Sequence, residues 1–224
     1  MNVEVKEEMI KNEFKLKPLK CELNFLSKSD GSAILAQGDT VAIASVNGPL
    51  DIKMQNQSIE KSTLEILFSS KSGKPSVGDR YKENIIRQTC EAAVLGCLYP
   101  RTGITITVQE LEDYGGLLSC CLNAVCLALV DAGVAMRALF ACVSCALDAA
   151  GEVRVEPPPD VARDARARIS FVFDSRDTSL ITCFSEGTFS EVVYSEALEM
   201  CRAASVALFA FYRDVVARYA AVIG

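Results

Sequence analysis

Hydrophobic and polar residues alternate along several short segments in the first half of the chain, and this pattern predicts β-strands. In residues 62–69 the apolar side chains of Leu64, Ile66 and Phe68 fall on one face, as in a half-buried strand. The two-residue signal Gly38-Asp39 marks a turn between two such segments. The predicted strands are residues 32–36, 40–46, 62–69 and 103–111.

Longer segments show helical spacing instead. Residues 79–95 carry apolar positions at intervals of three and four, with Asp79 as a candidate N-cap and Gly96 as a candidate stop. Residues 116–132 are apolar on nearly all sides, which predicts a buried helix, and residues 190–220 predict a long final helix. Between them, the pattern predicts strands at 138–147, 153–155, 169–173 and 180–184. Three consecutive prolines, 157–159, argue against regular helix or central strand there.

Strands precede a helix twice, so the pattern predicts an α+β fold with two similar halves. The chain has 224 residues, half of them hydrophobic, which suits one domain with a large core. Residues 1–20 are charged and lack the apolar segment of a signal peptide, so we expect a flexible arm followed by a single domain over residues 21–224. The absence of a long apolar run argues against a membrane span.

Composition narrows the chemistry. The formal net charge is −6, whereas free-standing nucleic-acid binders are usually basic, so any RNA contact would come from a local patch or from partner subunits. The chain has no histidine, which excludes Ser-His-Asp and Cys-His catalysis. Its ten cysteines lie mostly in apolar segments and read as buried free thiols. Cys142 and Cys145 form a lone CxxC pair with no second pair at zinc-site spacing, so we predict no metal site.

A Gly-Gly turn, Gly115-Gly116, opens the helix predicted at 116–132. The start of a helix exposes unpaired N–H groups and a partial positive charge, which suit a phosphate group. Leu117 and Leu118 follow the turn, however, and the first hydroxyl is that of Ser119. The backbone of an anion site is therefore predicted without the side chains that would complete it.

The chain resembles the RNase PH family, and most closely the non-catalytic RNase PH-like ring subunits of the eukaryotic RNA exosome. The resemblance extends over residues 23–218 and rests on short motifs in the family's order and spacing. These motifs are Asp30-Gly31-Ser32, Gln37-Gly38-Asp39-Thr40 with the apolar run 41–46, Pro100-Arg101-Thr102, Gly115-Gly116-Leu117-Leu118, residues 128–133 (ALVDAG), and Met136-Arg137.

The resemblance implies a fold like domain 2 of ribosomal protein S5, of βαβα type, with mixed sheets and a long C-terminal helix. In phosphorolytic members, Thr or Ser and then Arg follow the Gly-Gly turn and hold inorganic phosphate. Leu117 and Leu118 occupy those positions here, and leucine supplies neither a donor nor a charge. The resemblance therefore implies a degenerate phosphate site at Gly115, Gly116, Leu117, Leu118 and Ser119.

Active relatives also carry aspartates after the strand that matches residues 153–155. At the second of these positions the present chain has Arg168, while Asp160 and Asp164 remain nearby. One interpretation is a solvated charged loop with i,i+4 pairing. The other is that Asp160 and Asp164 hold a divalent ion with waters, which would allow a metal-dependent nuclease activity.

A basic segment surrounds the exposed loop at 70–78 and the helix after it. The candidate RNA-binding residues are Lys71, Lys74, Arg80, Lys82 and Arg87, with Tyr81 as an interleaved aromatic. The alternative interpretation is an ordinary soluble loop.

These observations predict a catalytically inactive ring subunit that helps the RNA exosome to bind and channel RNA for 3′–5′ processing and degradation. Its expected partners are other RNase PH-like ring subunits, cap subunits and RNA, with no cofactor and with a homodimer possible in isolation. The family's complexes imply a nuclear, nucleolar and cytoplasmic location. The alternative is an active nuclease working as a homodimer, either phosphorolytic or metal-dependent. The inactive subunit and the active nuclease are distinguished by whether added phosphate or a metal ion changes the length of RNA.

Overall fold

The computed structural model describes residues 16–74, 76–148 and 151–223. That part of the chain contains four α-helices and nine strands, and the strands form two sheets. The strands are β1 (Leu19–Leu23), β2 (Gly31–Gln37), β3 (Thr40–Asp51), β4 (Thr63–Ser69), β5 (Thr102–Glu112), β6 (Phe140–Leu147), β7 (Val153–Val155), β8 (Ala167–Asp174) and β9 (Leu180–Gly187). The helices are α1 (Val77–Ala93), α2 (Leu117–Asp131), α3 (Pro159–Asp164) and α4 (Glu191–Ile223). The predicted α+β class and the long final helix are confirmed.

The first sheet has the strand order β1-β2-β3-β5-β4. Its pairs are antiparallel except β4 with β5, which are parallel and joined through α1. Parallel neighbours need a crossover connection, and the amphipathic helix supplies it. The two-residue loop Gly38-Asp39 closes the β2–β3 hairpin with Gln37 opposite Thr40, as the sequence predicts.

The second sheet has the order β7-β6-β8-β9 and is antiparallel throughout. Its β8–β9 hairpin confirms the pairing predicted for residues 169–173 and 180–184. Cys142 and Cys145 of the CxxC pair lie on β6 as buried free thiols. Within the described ranges, no group of three or more Cys, Asp or Glu side chains could hold a metal ion.

Helix α2 packs against β2 and β3 of the first sheet and against β6 of the second. Residues 119–129 of this helix are all buried, which explains its apolar character on every side. Asn123 and Ser119 are the polar exceptions in this segment. Asn123 bonds to β6. Its side chain donates to the carbonyl of Cys142 at 3.0 Å and accepts from the Cys142 N–H at 2.7 Å. Because β7 pairs only with residues 145–147 of β6, Asn123 serves as the hydrogen-bonding neighbour of β6 at residue 142.

Helix α1 begins one turn earlier than its sequence suggests. Ser76, not Asp79, is the N-cap, and Asp79 sits three residues on in a capping box with the Ser76 side chain. Hydrogen bonds from the Ser76 backbone N–H and the Lys82 charge lower the pKa of the Asp79 carboxyl. At its other end the helix stops at Ala93, before the predicted Gly96. Glu83 of α1 accepts a 3.0 Å hydrogen bond from the backbone N–H of Phe68 on edge strand β4.

The motif residues Gly31 and Asp131 join β2 to the end of α2. A Cβ on Gly31 would lie 2.2 Å from the Ala132 backbone nitrogen, so this close approach requires glycine. The Asp131 carboxylate accepts hydrogen bonds from the backbone N–H groups of Asn24 and Ser32, at 3.2 and 2.8 Å. These contacts give the first and fifth sequence motifs a structural role.

Helix α4 buries one stripe against β6, β7 and β8 and also contacts β1. Its most buried residues recur every three or four positions, at 197, 201, 204, 208, 212 and 215. None of the helices in the described residues is both long and apolar enough to span a bilayer.

Besides the ends of α1, two further sequence-based expectations are wrong. The triple proline does not exclude a helix, because Pro159 occupies the first position of α3, where a missing N–H costs nothing. The predicted arm over residues 1–20 ends too late, because Leu19 and Lys20 belong to β1, which pairs with β2. Residues 1–15 of that arm lie outside the described residues.

Candidate functional site

The Gly-Gly turn begins α2 with a backbone that favours glycine. Gly115 has φ +85° and Gly116, the N-cap, has φ +77°, both in the left-handed region. A Cβ on Gly116 would also approach the hydroxyls of Ser144 and Ser119 to 3.1 and 3.3 Å. The predicted helix start is confirmed, and its unpaired N–H groups follow the turn.

Hydrogen bonds from distant segments hold this turn in place. The Thr40 hydroxyl donates to the Gly115 carbonyl at 3.0 Å and accepts from the Tyr114 N–H at 3.1 Å. The Lys17 ammonium donates to the same Gly115 carbonyl at 3.3 Å, and the Asp113 carboxylate accepts from the Gly115 N–H at 2.9 Å. Side chains of residues 17, 40 and 113 therefore fix the backbone of the turn.

A cleft of about 330 Å³ opens beside the turn. Its walls are the first turns of α1, the Gly-Gly turn and the start of α2, and one end of the β6, β8 and β9 strands. Leu118 lines this cleft, and its neighbour Leu117 turns into the core with 6% of its surface exposed. The first turn of α2 thus presents a hydrocarbon side chain where a phosphate site needs a donor.

Ser119 does not replace the missing donor. It is buried, and its hydroxyl donates to the Gly116 carbonyl at 2.7 Å. The Ser119 hydroxyl lies 3.4 Å from the Ser144 hydroxyl. The hydroxyl therefore stabilises the helix start, and Ser119 is not among the residues that line the cleft. The degenerate site predicted from Leu117, Leu118 and Ser119 remains a prediction.

Two cations line the cleft, one from α1 and one from β8. Lys82 of α1 lies 3.7 Å from the Asp79 carboxylate and over the Phe68 ring, 4.7 Å from its centroid. Arg168 of β8 pairs with Glu186 of β9 at 3.3 Å, and both of these side chains are more than half exposed. Such an exposed pair contributes little stability, so the guanidinium stays available to an anion. The cleft thus carries two cations, Lys82 and Arg168, beside the carboxylates of Asp113 and Glu186.

The other predicted RNA-binding residues lie outside the cleft. Lys71 pairs with Glu112 at 2.8 Å, and this hydrogen bond raises the pKa of the Lys71 ammonium. Lys74 and Arg80 are exposed. Arg87 is part-buried, and its Nε has no hydrogen-bond partner in the described portion of the chain. Of the five candidates, the structure brings Lys82 to the cleft, with Tyr81 beside it.

The two surviving aspartates are likewise apart from the cleft. Asp160 and Asp164 lie on the short helix α3 and are exposed, and neither lines the cleft wall. Their role as metal ligands remains a prediction. Arg168, which the sequence places where active relatives have an aspartate, does line the cleft.

Glu156 is a residue near the site that the sequence did not single out. It is 6% exposed and has φ +49°, and its carboxylate accepts hydrogen bonds from the Lys17 backbone N–H at 2.7 Å and from the Gln37 side-chain amide. Burial raises the pKa of the Glu156 carboxyl in spite of these bonds. Glu156 thereby ties β7 to β2 and to the segment that supports the Gly-Gly turn.

Comparison with known proteins places this geometry in a family. Residues 15–135, more than half of the chain, match the model of the 3′ exoribonuclease family, domain 1, known as RNase PH. The chain belongs to the RNase PH family. This confirms the resemblance inferred from the motifs.

Three known proteins are similar to this chain over most of its length. It is 31% identical to the exosome complex exonuclease RRP46 homolog of Arabidopsis thaliana, over 88% of this chain and 90% of that protein. It is 29% identical to the exosome complex component RRP46 homolog of Caenorhabditis elegans, over 91% and 95%. The crystal structure of rice (Oryza sativa) Rrp46 superposes with a TM-score of 0.85 at 30% identity, covering 89% of this chain and 94% of that one.

A more distant structure shares the fold alone. An archaeal exosome core chain superposes with a TM-score of 0.72 at 14% identity, over 92% of this chain and 96% of that chain. The two-sheet arrangement and the long C-terminal helix are therefore those of the RNase PH-like fold.

Proposed function

We propose that this chain is a structural subunit of an RNA exosome ring, which binds and guides RNA for 3′–5′ processing and degradation without cleaving it. Its role would extend to rRNA processing and mRNA decay through the assembled complex. Relatives that align over nearly their whole length carry exosome names, which supports membership of such a ring. Its partners would be other RNase PH-like ring subunits and cap subunits.

One observation carries the non-catalytic part of this proposal. Leu118 occupies the cleft position next to the Gly-Gly turn, and the Ser119 hydroxyl is committed to the Gly116 carbonyl. Phosphorolysis must hold a phosphate dianion against the scissile bond, and losing one preorganised donor typically reduces a rate by about 10²–10³. The apolar side chain adds a desolvation cost for any anion beside it.

The RNA-guiding part rests on the cations around the cleft. Lys82 and Arg168 line it, with Asp113 and Glu186 beside them, and Tyr81, about half exposed, supplies an aromatic face. Cations next to an aromatic platform suit single-stranded RNA without sequence preference. Lys71, Lys74, Arg80 and Arg87 would extend this surface along α1 and the loop before it.

The test is an incubation of the purified chain, and of the reconstituted ring, with a 3′-tailed, end-labelled RNA. Inorganic phosphate is added in one set of reactions, and magnesium or manganese in another. We expect bound RNA of unchanged length with the isolated chain in every set. Nucleoside diphosphates released only with phosphate would overturn the proposal, and a phosphorolytic family member run in parallel establishes that the assay works.

An active nuclease acting as a homodimer is the second candidate. The observation that favours it is the cleft itself, which keeps an open helix start and two flanking cations. A metal-dependent variant of this activity would require Asp160 or Asp164. Two results together would support this candidate. The free chain would sediment as a homodimer, and it would shorten RNA in a reaction that is lost in Asp160→Asn or Asp164→Asn.

The proposed complex also implies a cellular location. We expect the chain in the nucleus, including the nucleolus, and in the cytoplasm. Imaging of a fluorescent fusion expressed from its own promoter tests this expectation, and confinement to a single membrane-bounded organelle would contradict it.

A further inference from the structure

A second cavity lies at the other end of helix α1 from the cleft. It has a volume of about 200 Å³ and forms where β4 begins, α1 ends and the chain turns at residues 94–97. Because α1 has 17 residues and rises about 1.5 Å per residue, roughly 25 Å separates its two ends. This cavity is therefore distinct from the cleft proposed to contact RNA.

The Ser62 side chain lines this cavity with an unused hydroxyl. Ser62 is 5% exposed, and its Oγ has no hydrogen-bond partner in the described residues. Its backbone N–H donates to the Gly96 carbonyl at 2.9 Å, which fixes its position. A Cβ on Gly96 would come within 2.9 Å of the Ser62 Oγ, so glycine keeps the space before the hydroxyl open. Buried hydroxyls are normally paired, and this unpaired one belongs to a residue that lines a cavity.

Charged side chains around the cavity favour an anionic group. Lys61 and Arg137 line it with Glu91, and Lys61 pairs with Glu91 at 3.6 Å across exposed surface. Arg137 is exposed and forms no ion pair with any described residue. One uncompensated positive charge thus faces a cavity in a chain whose formal net charge is −6.

Aliphatic side chains lie beside the cavity opening. The Ser62–Gly96 hydrogen bond and a 3.1 Å bond from the Arg101 N–H to the Ser58 carbonyl hold segments 58–62 and 96–101 side by side. Ile59 is 75% exposed and Leu98 is 59% exposed on these segments. Exposed aliphatic surface is typical of a protein contact, whereas RNA bases require rings to stack on.

We propose that this cavity is a docking site for a carboxylate-bearing segment of a neighbouring protein subunit. The carboxylate accepts a hydrogen bond from the Ser62 hydroxyl and faces Arg137, and an apolar side chain of the same segment covers Ile59 and Leu98. This inference rests on the proposed function, because a ring subunit has such neighbours. Charge complementarity and the unpaired hydroxyl select an acidic segment as the occupant.

Cys97 provides a native reporter for this site. It lines the cavity and is the one exposed cysteine, since the other nine are buried or half-buried. In a ring reconstituted from the subunits of the same exosome, we expect alkylation of Cys97 by iodoacetamide to slow at least tenfold. A thiol-to-carboxylate cross-linker placed on Cys97 should join it to an Asp or Glu of a neighbouring subunit, identified by mass spectrometry.

Variants test the contact independently of the reporter. We expect Arg137→Glu and Ile59→Glu each to weaken association with the ring subunits at least tenfold, measured with labelled protein in sedimentation experiments. Arg176→Glu is the matched control, because Arg176 is equally exposed but lies in the β8–β9 turn. Circular dichroism of each variant establishes that it is folded.

The possible results separate this inference from the proposed function. If the wild-type chain joins no ring, the proposed function fails and the docking site falls with it. If the ring forms while Cys97 keeps its reactivity and Arg137→Glu behaves like Arg176→Glu, the docking site alone is overturned. Protection of Cys97 by RNA without any protein partner would also overturn it, since RNA would then be the occupant.

Discussion

The hydroxyl of Thr40 donates a 3.0 Å hydrogen bond to the carbonyl oxygen of Gly115, although the two residues are 75 positions apart. The same hydroxyl accepts from the backbone N–H of Tyr114. A single buried side chain thus fixes both sides of the turn that shapes the cleft. The motif that ends in Thr40 acts on the site through its support and does not line it.

Replacing Thr40 by valine tests this support. Thr40→Val keeps the shape of the side chain and leaves the Tyr114 N–H and the Gly115 carbonyl without their partner. We expect the free energy of unfolding to fall by about 1–3 kcal/mol in urea titrations. Thr40→Ser, which keeps the hydroxyl, should lose less than half of that amount, and equal losses in both variants would contradict the role of the hydrogen bonds.

The cations of the cleft should appear in the salt dependence of RNA binding. Each phosphate contact to single-stranded RNA contributes about 0.7 to the slope of log affinity against log salt concentration. We therefore expect Lys82→Gln and Arg168→Gln each to reduce the slope by about that amount in fluorescence anisotropy. Arg213→Gln, an exposed position on α4, serves as the control. An unchanged slope in both cleft variants would place the RNA elsewhere.

Leu118 offers a gain-of-binding test. Leu118→Arg places a guanidinium at the cleft beside the N–H groups of α2, and a charge-assisted hydrogen bond contributes roughly 1.5–3 kcal/mol. We expect affinity for inorganic phosphate to rise by about tenfold or more, observed by ³¹P NMR titration. Leu118→Met should leave the affinity unchanged. If the wild-type chain already binds phosphate as tightly as the variant, the idea of a lost anion site is wrong.

Glu156 should make stability depend on pH. Burial raises the pKa of its carboxyl in the folded chain above the unfolded value of about 4.3. The folded state then holds the proton more tightly than the unfolded state does. The contribution of Glu156 to the free energy of unfolding is therefore fully present below the unfolded pKa and is lost as pH rises through the folded pKa. We expect Glu156→Gln to flatten the fall in unfolding free energy over this interval.

Urea titrations at several pH values measure the effect. Glu186→Gln removes a carboxylate that is 62% exposed, so this control should keep the pH dependence of the wild type. A Glu156→Gln curve parallel to the wild-type curve at all pH values would show that the buried carboxyl does not titrate differently on folding.

Two glycines should respond oppositely to alanine. Gly31→Ala forces a methyl group against the backbone of Ala132, and overpacking of this kind typically costs about 1–3 kcal/mol. Gly78 lies in the first turn of α1, where an added Cβ meets only the Ser76 hydroxyl, at 3.6 Å. We expect Gly78→Ala to be neutral or to stabilise by up to about 1 kcal/mol. Thermal unfolding of both variants distinguishes close approach from a general effect of glycine removal.

Local sequence signals were sufficient for most of the fold. The β2–β3 and β8–β9 hairpins and the buried helix α2 follow from periodicity and turn residues, since these act over a few positions. Strand β1 lies outside the predicted strands because it is short, none of its five residues is fully buried, and its pairing with β2 is decided by tertiary contact. Helix α3 departs from the prediction because consecutive prolines predict a break, whereas the first helical position tolerates a proline.

The candidate site was predictable only where one segment holds it. The glycine turn and the two leucines are consecutive, so the sequence alone indicated a weakened anion site. The cleft, in contrast, joins Lys82 to Arg168, and the support joins Glu156 to Gln37, which are 119 residues apart. No local pattern marks such pairs, and a buried glutamate in a proline-rich loop resembles an ordinary surface charge in sequence.

The Asn123 bridge to Cys142 and the Glu83 bond to Phe68 limit how this molecule can join another by backbone pairing. In each case a side chain from a helix is hydrogen-bonded to a main-chain group of a strand. An incoming strand would need that same group for pairing. A strand added at either place would have to displace a bond that the fold already makes. Addition of a strand from another chain is thereby disfavoured along β4 and beside residue 142 of β6, so backbone pairing between chains is restricted at these two places.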